Sequence, residues 1–515
     1  MDQDRGTAQW WATCGVMLGA LTVALNNGVL HVAVPSMMSS LSADLDRIQW
    51  VQNAYQITQA VLMPAVGWLS GRLGTKRLFI LSTLMFIVGS ALSGLAWDVN
   101  SLIFFRILQG IGGGPVTPLG MSILYSAFPP EKRGLALGLY NFSHSFGPAI
   151  GPTLGGHLIE VLSWRAIFYM NVPVGLLSAG IVLVTMSKVE DQRSRPFDAL
   201  GVFSMAGFVI LALLAISEGR RYGWHSQMIL TLFLISGLSL VIFVIAELRA
   251  RQPFVEIRLY KNIPFTMGCL IAFLNTMEFR GSSFVMPIML QQTFHYTPFQ
   301  TGLFFLAPAL VMGVVSILAG RLSDIIHPKP LLVVGLLVLT YISFQFSLIT
   351  VWTTTGVLLT LIMVRRAAQA FCHSPLTAAS MQAVPEDDVR MAAGLFNVHR
   401  TLAGAVGVAV TATMMDYLED LHTVILSERQ TLYPLGTQVA VETIRGVLLS
   451  DGNLDGTLAQ KTSGVLRQML SAEAGLAAYQ GLYFMFAALT LFSILPVLLM
   501  RGSKSQPLPK TVKVE

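Results

Sequence analysis

Glu278 carries the most chemistry of any single residue in this chain, because it falls near the middle of the apolar run CLIAFLNTMEFRGSSFVM. An ionised acid inside a bilayer is costly, so it must be paired, face water, or spend part of its time neutral. A carboxylate in that setting can load and release a proton; the alternative is a structural ion pair with an arginine from another helix. Asn275, Glu278 and Ser282 follow i, i+3, i+7 spacing and share one helical face. Arg280 points to a different face, where it can snorkel or bind an anionic group of a substrate.

Two further polar stripes match one another. Arg106, Gln109, Gly113 and Thr117 line one helical face, and Arg366, Gln369, His373 and Thr377 line another. A guanidinium in a span cannot shed its charge and must find carboxylates, carbonyls or water. Arg106 is read as a proton-transfer or cavity-orienting group, against a structural pin between helices. Arg365, beside Arg366, is read as a sign that its helix end lies closer to water. His144 and His31 are titratable near neutral pH, although a lone histidine on an apolar helix also serves as a packing residue. Asn26, Asn141 and Asn397 act either as interhelical hydrogen-bonding groups or as cavity lining. Arg400 stands at the repeat position of His144.

These side chains need apolar elements to hold them. The 515 residues are 54% hydrophobic and 12% charged, with a mean hydropathy of +0.65, too apolar for a soluble chain. Runs of about 20 apolar residues recur along nearly the whole length, giving an expectation of about fourteen spans. Among these are stretches at about 49–70, 164–186, 391–416 and 477–500. The first run, from Trp10 to Val34, is too long for a signal-peptide core and reads as a retained span. Roughly 20 of the 33 basic residues fall on one set of alternate loops, against about 8 on the other. Both termini are therefore expected in the cytoplasm. A long outer loop at about 417–476 carries runs that suggest amphipathic helices.

One span is unusual. Residues 134–158 read GLALGLYNFSHSFGPAIGPTLGGHL, with Gly147, Gly151 and Gly155 four residues apart. On a helix they form one nearly bare ridge, which lets two membrane helices approach backbone to backbone. Gly147-Pro148 and Gly151-Pro152 each remove a backbone donor and invite a bend.

The chain also repeats itself. Gly138, Leu139, Asn141 and Gly151 match Gly394, Leu395, Asn397 and Gly407 at one offset. Arg106-Ile-Leu-Gln109-Gly110 recurs as Arg366-Ala-Ala-Gln369-Ala370, and Gly67-Trp-Leu-Ser-Gly-Arg72 more loosely as Gly320-Arg-Leu-Ser-Asp324. Three motifs in the same order argue for two six-helix halves. The expected division is 1–190 for the first bundle, 191–258 for two linking helices, and 259–515 for the second bundle with its outer loop.

The pattern Gly138-x8-Gly147-x3-Gly151-Pro152-x2-Gly155-Gly156 resembles the antiporter motif of the major facilitator superfamily. Gly67 to Arg77, with Arg72, Gly74 and Lys76, resembles the loop motif after its second helix, and Arg106-x-x-Gln109-Gly110 its fourth-helix motif. Leu25 to Pro35 and Trp164 to Gly175 are similar to the fourteen-span drug:proton antiporters of the EmrB/QacA type. The resemblance implies an all-α membrane protein of the major facilitator fold, two six-helix bundles plus two central helices, in a bacterial cytoplasmic membrane. It implies multidrug efflux of small molecules in exchange for protons, and a periplasmic adaptor as a partner. Two departures stand out: in the first-helix signature Asn26 replaces the family's usual aspartate and His31 its frequent asparagine, and the loop motif lacks the family's usual acid near Gly71. Proton coupling then falls to Glu278, Arg106, His144 and His31. Asn26, Gln109, Asn141, Asn275, Arg280, Gln369, His373, Asn397 and Arg400 are the expected substrate-cavity residues, with Tyr140, Phe142, Met277, Phe279 and Phe284 as apolar lining. In the gating loop, Gly71 and Gly74 permit a tight turn, Lys76 and Arg77 reach neighbouring helix ends, and Asp324 supplies the acidic half of a latch.

Other classes find no support. No phosphate-cradling loop, nucleophile elbow or metal-ligand spacing is present, so neither an enzyme nor a cofactor is expected, and the basic surplus needs no nucleic acid. Cys14, Cys269 and Cys372 all fall in spans and suggest neither disulfide nor metal. Two further readings remain: a transporter of one defined metabolite, lipid, fatty acid or siderophore without proton coupling, and a non-transporting sensor on the same scaffold.

Overall fold

A computed structural model describes residues 2–43, 45–186, 198–250, 253–432, 434–450 and 458–500. Among them the chain is helical throughout, with no strand. Ten helical stretches are long and apolar enough to cross a membrane.

The first half comprises α1 (Asp2–Leu41), α2 (Leu45–Leu62), α3 (Val66–Leu73), α4 (Thr75–Gly94), α5 (Val99–Ala127), α6 (Arg133–Val161), α7 (Ala166–Tyr169) and α8 (Asn171–Thr185). Next come α9 (Ala199–Tyr222) and α10 (Gln227–Arg249), which pack on each other. The second half has α11 (Ile263–Gln292), α12 (Pro298–Ile325), α13 (Pro328–Phe346), α14 (Thr355–Gln382), α15 (Val389–Leu432), α16 (Pro434–Ser450), α17 (Leu458–Phe492) and α18 (Ile494–Leu499). Local chemistry sets many of these limits. Asp98 and Ser101 form a reciprocal capping box at the start of α5, as Thr297 and Gln300 do for α12. Gly74 and Gly223 take positive φ values of 80° and 84°, which close α3 and α9 at little steric cost.

Three expected limits are corrected. The span at 49–70 is interrupted by a turn at 63–65, where Pro64 sits, and the span at 164–186 is two helices meeting at Met170. The described residues of the outer segment 417–476 are helical, as its amphipathic runs suggest, but the spans at 391–416 and 477–500 extend into it. α15 runs on to Leu432 and α17 begins at Leu458, so both spans project well past the apolar zone. An amphipathic surface run continues a helix readily once the preceding turns have nucleated it.

The four long helical segments outside the apolar ten are α2 with α3, α5, α6 and α11. They are the helices carrying Gln59, Arg106, Gln109, Asn141, His144, Glu278 and Arg280. Their hydropathy is diluted because their polar faces turn inward. α10 is the reverse case: Leu230, Leu234, Leu238, Val241 and Ile245 are all exposed, a face suited only to lipid.

The glycine ridge of α6 lies on α1. A Cβ at Gly147 would stand 2.6 Å from the Leu25 nitrogen, and one at Gly151 would stand 2.9 Å from the Gly28 carbonyl carbon and the Val29 nitrogen. Gly155 meets the Val29 side chain, while on α1 a Cβ at Gly28 would stand 2.7 Å from Pro148 Cα. The two backbones are in contact. Two motif glycines do not belong to this ridge. Gly138 faces the other half, where a Cβ would lie 2.7 Å from the Ser316 carbonyl oxygen, and Gly156 meets nothing nearer than Val32 at 3.9 Å. The side chain of Pro152 lies outside the described residues.

Gly151→Ala is expected to lower stability by about 1–3 kcal/mol through overpacking, and Gly151→Leu to prevent recovery of folded protein. Gly156→Leu should be recovered and unfold like the wild type. Thermal unfolding of the detergent-purified variants checks both.

Candidate functional site

Near the middle of the first half, Arg106 of α5 is completely buried. It donates through Nε to the Val51 carbonyl at 2.9 Å, and through Nη1 to Asn26 Oδ1 at 3.0 Å and Gln109 Oε1 at 2.6 Å. Gln109 Nε2 donates to the same Asn26 oxygen at 3.2 Å, and the guanidinium carbon sits 4.2 Å from the Tyr55 ring centre. A buried cation is thus held by carbonyl dipoles and two aromatic faces, the second that of Phe168, with no carboxylate partner among the described residues.

The second half repeats the arrangement with an acid in place of the amide. Glu278 of α11, fully buried, pairs with Arg365 Nη2 of α14, and its other oxygen accepts from Gln369 Nε2 at 3.2 Å. Gln369 therefore stands to Glu278 as Gln109 stands to Asn26. Arg365, 2% exposed, also donates to Ser343 Oγ at 3.0 Å and faces the Tyr483 and Phe346 rings. This corrects the sequence expectation for Arg365: it marks the most enclosed ion pair in the molecule's described residues, not a helix end near water. Arg366 repeats the contact of Arg106, donating to Gln369 Oε1 at 3.2 Å, and also reaches Ser283 Oγ at 3.3 Å and the Phe279 ring.

A second group surrounds interior space between the halves. Arg280 is exposed although it lies halfway along α11, and its stem rests on the bare surface of Gly404 of α15, with Cγ 3.3 Å from a Cβ placed there. Arg400 precedes Gly404 by one turn and is within electrostatic range of Arg280. His144 of α6 and His373 of α14 face the same charges. His144 stacks on Tyr140 and His373 packs edge-on to Phe279; His144 Nδ1 and His373 Nε2 have no hydrogen-bond partner.

The other expected residues fall into three places. Asn141 joins a polar chain across the halves, donating to Ser374 Oγ at 3.3 Å, which contacts Ser316 at 2.8 Å. Asn397 donates to the Ala393 carbonyl of its own helix, Asn275 is buried beside Cys372, and Phe142 packs over Gly313 of α12. The side chain of His31 lies outside the described residues. Arg365, Tyr55, Ser283, Ser316 and Ser374 were not singled out by sequence reading. The adjacent Arg365-Arg366 pair was the available signal for the first of them.

One end of the interior is shut. Asp324 of α12 accepts from the Gly134 and Leu135 backbone N–H groups at 2.5 and 2.9 Å, capping the start of α6 from the opposite half. Arg133 pairs with Glu386 across the same seam, and Gly67 packs on Met391. Lys76 behaves differently from the expected latch. Its Nζ donates to the Leu183 and Met186 carbonyls, closing the end of α8 within its own half. Arg72 is exposed and lies over Trp68, and Arg77 is exposed.

Two helical halves with mirrored polar clusters and a seam closed at one end define a membrane transporter. Residues 16–408 match the family model of the Major Facilitator Superfamily, and the chain belongs to that family. It is 32% identical over 465 residues to the multidrug export protein EmrB of Haemophilus influenzae, covering 89% of this chain and 90% of that one. It is 29% identical over 463 residues to the fatty acid resistance protein FarB of Neisseria gonorrhoeae, covering 88% and 90%. The crystal structure of the human organic anion transporter MFSD10 superposes with a TM-score of 0.63 at 15% identity, over 95% of this chain and 99% of that one. The chain is an integral membrane transporter, not an enzyme.

Glu278→Ala leaves Arg365 buried without its anion and is expected to cost about 3–5 kcal/mol, whereas Glu278→Ala with Arg365→Met should recover much of the loss. Asn26→Asp, which gives Arg106 the partner its counterpart has, should fold at least as stably as Asn26→Ala. Thermal unfolding of the four variants in detergent measures both differences.

Proposed function

We propose that the chain is a secondary active exporter that moves amphipathic compounds out of the cell in exchange for protons by alternating access. The observation that carries this reading is the conjunction of a seam sealed by Asp324, Arg133 and Gly67 with inward-facing Arg280 still reaching open space. The basic loops lie at the sealed end, so this reading makes that end cytoplasmic, with both termini beside it. α2 with α3, α5, α6 and α11 then cross the membrane with the ten apolar stretches, giving fourteen spans. α1–α8 and α11–α18 form the moving bundles, with α9 and α10 linking them. The similarity to multidrug export proteins supports the drug-like substrate class, and the same relatives support a bacterial inner membrane.

Proton exchange is assigned to Glu278. A proton on this carboxylate removes the charge that holds Arg365, leaving Ser343 and the Tyr483 and Phe346 rings around a cation that lacks its partner. The protein then favours whichever conformation gives Arg365 another acceptor, and the equilibrium moves only by that difference in affinity. Asp324 and Arg133 release the seam in the other state, while Gly147, Gly151 and Gly155 keep α1 and α6 together as a unit. The complete burial and pairing of Glu278 favours a second reading, in which the pair is a fixed brace and transport of one defined metabolite or lipid proceeds without protons. The helical projection of α15, α16 and α17 is the surface offered to a periplasmic adaptor.

In liposomes carrying a pH gradient, the wild type is expected to accumulate members of a panel of fluorescent amphiphiles. Glu278→Gln should lose gradient-driven accumulation but keep exchange of labelled for unlabelled compound. Accumulation that survives in Glu278→Gln would assign the pair to the brace and move proton exchange elsewhere.

A further inference from the structure

We infer that the interior between the halves is an anion site, and that the compounds this transporter selects are amphiphiles bearing an acidic head. The inference rests on the exporter reading for its transport step, but the site itself stands on the charges. Three guanidiniums, from Arg280 of α11, Arg366 of α14 and Arg400 of α15, turn toward one space. Arg366 is satisfied by Gln369, Ser283 and the Phe279 face. Arg280 and Arg400 have neither a hydrogen bond nor an ion pair among the described residues. The carboxylate within electrostatic range of Arg366 is Glu278, and its two oxygens are taken by Arg365 and Gln369.

This surplus has no internal remedy. Arginine stays charged at any physiological pH, so two guanidiniums within electrostatic range repel one another until an anion comes between them. The supporting structure suits that role. Gly404 has no side chain where the Arg280 stem lies, so Arg280 reaches across α15 toward the turn that carries Arg400. A forked donor matches a carboxylate, sulfonate or phosphate head through paired, charge-assisted hydrogen bonds. The unpartnered His144 Nδ1 and His373 Nε2 add two further polar atoms at the same wall. Phe279, edge-on to His373, and the partly buried Phe142 offer aromatic surface to an apolar tail. A cationic amphiphile would meet the same tail surface and three like charges.

The test uses full-length protein in nanodiscs and two probes of equal chain length, radiolabelled decanesulfonate and decyltrimethylammonium. The sulfonate keeps its charge at every working pH, so binding reports the head group alone. Wild type should bind the sulfonate at least tenfold more tightly than the ammonium. Arg280→Gln and Arg400→Gln should each weaken the sulfonate on the order of tenfold, the worth of a charged hydrogen bond, without weakening the ammonium. Arg280→Lys and Arg400→Lys, which retain charge but not the fork, should fall between, and serve as the folded comparison if a Gln variant is not recovered. Equal binding of both probes by wild type, or unchanged sulfonate binding in the folded variants, overturns the anion site. Flux of the same probes in proteoliposomes is scored separately. Selective sulfonate binding without flux would retain the anion site and reject the exporter reading, whereas ammonium export without sulfonate binding would do the reverse.

Discussion

A guanidinium that cannot lose its charge, held where water is scarce, is the constraint around which this bundle is organised. Arg106 and Arg365 are each completely or almost completely buried, and each draws partners from two other helices. Desolvating such a group is repaid only by well-placed acceptors. The first half supplies a backbone carbonyl, two amides and the Tyr55 and Phe168 faces; the second supplies a carboxylate, a hydroxyl and three aromatic faces. Both solutions tie the helix that opens each half to the helix carrying the arginine, α1 to α5 and α11 to α14. Each half therefore moves as a unit, because shearing these helices apart would strand a charge.

Two kinds of close contact divide the labour around those units. Where α6 lies on α1, glycines bring backbone against backbone over three turns, a contact with no polar bond to break and no side chain to reorder. Across the halves α6 also meets α12 through close glycine contacts at Gly138 and Gly320, and polar groups join them: Asp324 on the α6 N-terminus, Arg133 on Glu386, and the buried Asn141 to Ser374 and Ser316. The Asp324 and Arg133 contacts lie at helix ends, where water can replace them when a gap opens. On the exporter reading, these helix-end contacts are the ones that break when the halves rock.

Much of this was legible in the residues. Glycines four apart announced a helix contact, and the matched Arg-x-x-Gln motifs announced two halves whose second member makes the same i, i+3 bond as the first. Asp324 was legible as a latch from its place in the weaker repeat. What escaped was phase. Arg365 and Arg366 are adjacent, so a helix turns them about 100° apart, one into the Glu278 pair and one toward the interior. Sequence shows two arginines but not which faces the acid, because that depends on where α11 sits. Gly138 makes a similar point: it shares a motif with Gly147 and Gly151, but the motif does not say that it faces α12. Segment 417–476 read as separate amphipathic helices, because surface composition does not say that the helices of the flanking spans continue into it.

The placement of the acid has a consequence for how charge can be exchanged. Glu278 lies within electrostatic range of Arg366, which borders the interior. A proton arriving at Glu278 leaves the interior one charge more positive, so an anion there and a proton here reinforce each other rather than compete. Linkage makes that reinforcement reciprocal. Displacement at a shared site would serve a cationic substrate; for an anion, exchange has to arise from the conformations each ligand favours. The membrane potential helps in that case. Outward movement of one negative charge from an inside-negative cell gains about 2.3 kcal/mol per 100 mV, so an anion exporter asks less of its proton-carrying residue than a cation exporter does. On the proposed reading, a single acid in the second half, with an amide left at the mirrored position in the first, would be enough for that smaller task.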